Sequence, residues 1–278
     1  MQIEHYYCVN YDKLIYDELI ERGIKVTIDD KISKSSSPQM IFKVYTTKED
    51  ELNSFTKLVT KYGMGIRDLV FSKKELSEAN WLLFRSTNMK LESLSEKTIE
   101  LGCRKSRILY YHTRQVAPYA LKPIKWKNNN HFYSSYEGAF KHIFCDDYAR
   151  ALLEKQEFKG LNFGEVLWAH KNISLPDAHQ LIITNPLSIE AVLNLDDTVP
   201  SHCPICGKKN YDYNHNKLFR IEIDKSYLDE SQDFYETDCD FTIGFSPTPF
   251  LICSQRVYSF LTSMNLTRNL CFEPLIVK

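Results

Sequence analysis

The chain has 278 residues, 43% of them hydrophobic, enough for a real core in one large domain or two ordinary ones. A formal net charge of −1 argues against the global basic field of many nucleic-acid binders and against the acidic excess of a disordered chain. Only 9 Gly and 10 Pro exclude a collagen-like or linker-dominated architecture, while 17 Tyr and 16 Phe fit β-rich cores and edge strands.

The first residues lack a basic segment followed by an apolar run, so no secretory leader is expected. No window reaches the roughly 18–20 apolar residues of a membrane span. The periodicity predicts a helix over 12–22, with Leu14, Ile15, Leu19 and Ile20 at helical spacing and Gly23 as its stop. Strands follow over 24–28 and 40–45, separated by a Ser-rich loop at 33–38. Thr46-x-x-Glu49 is a capping box; it opens a helix with Leu52, Phe55, Val59 and Tyr62 on one face, which Gly63 closes. A strand at 69–71, a second capping box at Ser72-x-x-Glu75 and a strand at 81–85 complete an α/β N-terminal module, residues 1–92.

Beyond it three landmarks occur twice in the same order. Cys103-Arg-Lys-Ser106 precedes strand-like 108–112 and 119–126, and Cys203-Pro-Ile-Cys206 precedes strand-like 218–223. His131-Phe-Tyr-Ser-Ser135 then matches Asp233-Phe-Tyr-Glu-Thr237. Last, Cys145 and Cys253 each open an amphipathic helix, 146–155 or 254–263, that runs into an L-x-F strand at Leu161–Phe163 or Leu270–Phe272. This order predicts an α+β protein in which the N-terminal module is followed by two diverged copies of a β-rich unit, 93–186 and 187–278. Each copy closes with a helix and a short strand, and the spacing is too long for a solenoid.

Cys203-Pro-Ile-Cys206-Gly207 is the sharpest chemical motif, a turn that places two thiolates about one tetrahedral ion. A structural site needs four ligands, and no second CxxC exists. Cys103 is a candidate third ligand if the copies face each other, and His202, His215 and Cys239 lie near in sequence. Three readings stay open: one structural zinc with mixed ligands, a metal-free turn, and a redox pair, the last lacking its strand-to-helix context. The cysteines often sit beside apolar residues, as in Ile252-Cys253 and Leu270-Cys271-Phe272, which reads as buried reduced thiols of a cytoplasmic protein. The histidines form no metal or catalytic pair, and neither a G-x-S-x-G elbow nor a phosphate-binding glycine loop is present. No enzyme is expected.

Residues 224–240 interleave carboxylates with aromatics. Asp229, Glu230, Asp233, Phe234, Tyr235 and Glu236 are the candidate docking residues for a basic protein partner, against the plainer reading of a solvated loop. Lys122-Pro-Ile-Lys125-Trp-Lys127 is basic and aromatic but too short to stand for a nucleic-acid site.

On Cys203-Pro-Ile-Cys206-Gly207, Phe158-Lys-Gly160-Leu161-Asn-Phe163-Gly-Glu-Val166, Leu270-Cys-Phe272-Glu-Pro274-Leu275 and His179-Gln180-Leu181, residues 103–278 resemble the double-CXXCG motif proteins. These are bacterial immunity proteins of contact-dependent and polymorphic-toxin systems. The first CXXCG is reduced here to Cys103-Arg-Lys-Ser106, with Arg107 in the glycine position. The resemblance implies a cytoplasmic protein that binds and neutralises a cognate protein toxin, without turnover and without a membrane or nucleic acid. The alternative is a zinc-ribbon-like, phage-related nucleic-acid adaptor.

Overall fold

Asp12 starts the first helix. Its carboxylate accepts from the N–H groups of Leu14 and Ile15 at 2.8 and 3.3 Å, and α1 runs Lys13–Glu21 in the computed structural model of the chain. The described residues are 2–10, 12–29, 39–46, 63–86, 89–91, 99–105, 110–115, 117–127, 129–135, 142–193, 201–202, 209–212, 221–243 and 246–278. They form a mixed α+β protein of two units, Met1–Glu75 and Leu76–Lys278.

In the first unit β1 (Gln2–Asn10), β2 (Val26–Asp29), β3 (Gln39–Thr46) and β4 (Gly63–Val70) pair in the order β2-β3-β1-β4, every neighbour antiparallel. That is the strand order of a split β-α-β unit. Of the four apolar residues expected on α1, Ile15 and Leu19 are buried against Met40 and Phe42, while Leu14 and Ile20 are exposed. Positions four apart share a helix face, and 14 and 20 fall on its flanks. The helix expected from Thr46 and the loop at 33–38 lie outside the described residues. Gly63, read as a helix stop, is the first residue of β4. The second capping box forms in full: Ser72 donates from N and Oγ to Glu75 Oε2, Glu75 N donates back to Ser72 Oγ, and α2 runs Lys73–Glu78.

Next comes β5 (Trp81–Ser86), which the sequence assigns to the N-terminal module. It lies instead inside a sheet of the second unit, between β21 (Leu251–Ser254) and β22 (Leu270–Pro274). Its burial decides this, because Trp81, Leu82, Phe84 and Ser86 all need cover and an outer strand of a small module offers it on one face only.

Two larger sheets supply the strands of the second unit's central core. The first runs β6-β10-β11-β13-β12-β9, from β6 (Met89–Leu91), β9 (Tyr119–Leu121), β10 (Phe132–Ser135), β11 (Ile143–Cys145), β12 (Leu161–Trp168) and β13 (Ile173–Ile183). The other runs β14-β18-β21-β5-β22, with β14 (Pro186–Leu187) and β18 (Phe234–Thr237). Alternation sorts their side chains. Phe132, Ile143, Cys145, Phe234, Leu251, Cys253, Leu82, Phe84 and Phe272 meet in one central core, which the two later helices share. Tyr133 and Phe144 point to the outer face of the first sheet, and Tyr235, Ile252 and Trp81 to that of the second.

The two sheets follow one course. Phe132 lies opposite Cys145 and Phe234 opposite Cys253, in antiparallel pairs. Helices α3 (Asp147–Lys155) and α4 (Gln255–Ser263) follow at once, nine residues each, capped by Asp146 and Ser254. After each helix come two left-handed residues, Glu157 and Gly160 or Asn265 and Asn269, which turn the chain back into β12 or β22. Parallel β9 flanks the end of β12, and β17 (Glu222–Ile223) flanks β23 (Ile276–Val277) in the same sense. The central strand alone differs in origin. β13 follows β12 directly, whereas β5 comes from far upstream.

The turns interlock across the core. A Cβ on Gly160 would stand 2.6 Å from the Phe234 carbonyl oxygen, so only glycine fits there. Asn269, its counterpart, donates through Nδ2 to the Phe132 carbonyl at 3.5 Å.

Candidate functional site

β15 (Ser201–His202) precedes the knuckle motif and β16 (Lys209–Asp212) follows it; the two pair antiparallel, Ser201 opposite Asn210 and His202 opposite Lys209. Cys203 and Cys206 themselves, and His215, lie outside the described residues. β16 continues in parallel beside β19 (Asp240–Ile243), with β20 (Ser246–Thr248) beyond it. By that register Cys239, buried and just ahead of β19, is level with Lys209 at the knuckle end of the layer. Cys103 is placed otherwise. It stands within β7 (Ile99–Lys105), opposite His112 of β8 (Tyr110–Gln115), and β8 lies beside β20. β7 and β8 thus form a sheet separate from the one that holds β15. Among the described residues no group of three His, Cys, Asp or Glu side chains is placed to hold a metal.

The acidic segment divides into two kinds of residue. Asp233 is 3% exposed, and its carboxylate accepts from Lys159 N at 3.0 Å, Ser254 Oγ at 2.9 Å and Arg256 Nη1 at 2.8 Å. Phe234 and Tyr235 are 2% and 3% exposed, one in the central core and the other in the outer one. These three were expected to meet a partner, and burial corrects that: strand alternation drives the aromatics into both sheet faces, and Asp233 is spent on joining the halves. Glu236 is half-buried on β18. Asp229 and Glu230 are exposed, and with Tyr227 at 40% they are what the segment offers to solvent. Asp224 and Asp229 are held below the usual carboxylate range, first by the N–H groups of Ser226 and Ser231.

Asp233 has a counterpart. In the first half His131 Nδ1 meets Asp146 Oδ2 at 2.8 Å, and Asp146 caps α3 through Ala149 N at 2.9 Å. In the second, Ser254 donates to Asp233 and caps α4 through Val257 N. Donor and acceptor have exchanged sides, but the landmark residue and the helix cap stay bonded in both. Sequence reading missed the third partner, Arg256, whose guanidinium also donates to the Gln156 carbonyl at 2.7 Å and lies over the Phe158 ring. An arginine two residues past a cap gives no local sign of a partner 23 residues upstream.

The titratable groups near α3 are tied down. His179 Nε2 meets Asp147 Oδ1 at 2.6 Å, and its Nδ1 accepts from Arg150 Nη1 at 3.1 Å, so a neutral ring with its proton on Nε2 satisfies both contacts. Cys145 is the cross-strand neighbour of His179, yet both ring nitrogens are engaged and burial pushes the thiol well up. Cys253 is raised by burial and then by Asp233. Neither thiol has the environment of a nucleophile. Neither is in a disulfide, nor are Cys239 and Cys271.

Compared with protein-family models, with curated proteins and with solved structures, the chain matches none. No helix among the described residues is long and apolar enough to cross a membrane.

Proposed function

We propose that this chain is a non-enzymatic bacterial binding protein of the immunity kind, one that neutralises a cognate protein toxin in the cytoplasm by forming a complex with it. The observation that carries the reading is the paired course of the two sheets. Of the residues on which residues 103–278 resemble the double-CXXCG proteins, the stretches 158–166 and 270–275 fall at equivalent places in the two halves, in and after the left-handed turns and on the L-x-F strands. Those positions serve packing, which accounts for two diverged copies of one unit without assigning them any turnover. In this reading the knuckle is a local staple of the second copy. It holds at most one structural zinc on Cys203 and Cys206, with Cys103 and Cys239 as candidate further ligands.

Two experiments test it. Co-expression with a toxin encoded beside the gene should restore growth, and the purified proteins should form a stoichiometric complex; failure of both would sink the proposal. Metal analysis of the purified protein should find zinc that is lost in Cys203→Ser, and absence of metal from the parent would leave the knuckle a metal-free turn.

A further inference from the structure

Residues 122–131 and 224–233 hold the same place in the two halves. Each leaves a short parallel edge strand, β9 or β17, crosses the outer face of its sheet and enters β10 or β18 at the His131 or Asp233 landmark. The crossings are of equal length. Each packs a side chain at the same step onto the outer core: Trp126 lies 5.1 Å from Tyr133, and Leu228 is buried in the cluster that holds Tyr235.

Their exposed charge is opposite. The first crossing presents Lys122, Lys125 and Lys127 to solvent. At the places of Lys122 and Lys127 the second has Asp224, half-buried and bonded to Ser226 N, and the exposed Asp229, followed by Glu230, whose carboxylate lies 3.4 Å from Lys225, the one basic residue of the crossing. The central core draws on both sheets and both helices, while each crossing packs on a separate outer cluster.

We propose that the basic crossing of one chain receives the acidic crossing of a second copy, giving a salt-sensitive head-to-tail self-association. Charge complementarity selects this occupant. The exposed charges of one loop, Lys122, Lys125 and Lys127, are all basic, those of the other, Lys225, Asp229 and Glu230, are acidic on balance, and a contact between unlike surfaces of identical chains is heterologous. Exposed pairs are individually weak and screened within a Debye length of about 10 Å at 0.1 M salt, so association should grow with concentration and fade as salt is added. Toxin neutralisation is not required for this contact, and each can fail without the other.

Sedimentation velocity of the full chain is the test. In about 0.02 M salt the sedimentation coefficient should rise with protein concentration, and in about 0.5 M salt it should not. Lys125→Glu with Lys127→Glu should abolish association, as should Asp229→Lys with Glu230→Lys; mixing the two variants should restore it. Because Asp229 bonds Ser231 N at 2.8 Å, Glu230→Lys alone provides a variant that spares the turn, and it should weaken association several-fold. A parent chain that stays monomeric in low salt, or swapped variants that do not recombine, would overturn the proposal. So would nucleic acid that co-purifies with the parent, is lost only in the lysine variant, and accounts for any association seen.

Discussion

Asp233 shows how a single residue can mislead a reading for function. Its neighbours are acidic and aromatic, the signature of a docking patch, yet it is buried and accepts three hydrogen bonds from two segments, the turn at Lys159 and the start of α4. Asp233→Ala removes the only carboxylate facing Arg256 in that bond set and leaves Lys159 N and Ser254 Oγ short of an acceptor. Hydrogen bonds that involve charged groups contribute about 1.5–3 kcal/mol each, less where water can substitute, and Arg256 is partly exposed. The substitution should therefore cost roughly 3 kcal/mol in urea unfolding. Asp229→Ala, at an exposed turn, should cost under about 1 kcal/mol. Equal losses at the two positions would contradict the division of the segment into buried and exposed parts.

At the scale of elements, the strands that end in Cys145 and Cys253 make stability depend on alkaline pH. Burial raises both thiols above their ordinary value of 9.0 in the folded chain, so the folded state keeps protons that the unfolded state gives up. Their contribution is fully present below pH 9.0 and is lost progressively as pH rises above it. Thermal midpoints measured across that range should fall, and the fall should be shallower for Cys253→Ala, after allowing for the small packing loss of the substitution. An unchanged slope would show that the thiol is not the cause.

The strand β5 supports a second prediction at this scale. A fragment of residues 76–278 retains the central strand of the second sheet, whereas one starting at 93, the boundary drawn from sequence, lacks it. The first should unfold cooperatively in denaturant, and the second should show no cooperative transition. Cooperative unfolding of the 93–278 fragment would mean that β5 is dispensable.

For the whole molecule, what was legible in the sequence was whatever local chemistry specifies. The Ser72 and Glu75 capping box, the caps before α3 and α4 and the L-x-F strands each announce themselves within a few residues. The exchange of β5 into the distant sheet was not legible, because an apolar run of that kind names a buried strand without naming its neighbours. Nor were the His131–Asp146 and Asp233–Ser254 bonds, which join residues through a register that only the folded sheets define. The motif order was therefore visible before its purpose. Residues that look conspicuous in sequence as [H/D]-F-Y join each half's strand to its helix and meet the turn of the other half. This moves the search for a partner surface to residues that packing leaves free, such as Tyr227, Asp229 and Glu230.

The most direct test of the proposed function is a titration, with the purified chain, of any toxin found to be encoded beside the gene, following toxin activity. Binding without turnover predicts that activity falls linearly and reaches zero at one equivalent, with the complex recovered intact. Toxin that stays active in the presence of excess chain, or that is silenced by a small fraction of an equivalent, would contradict it.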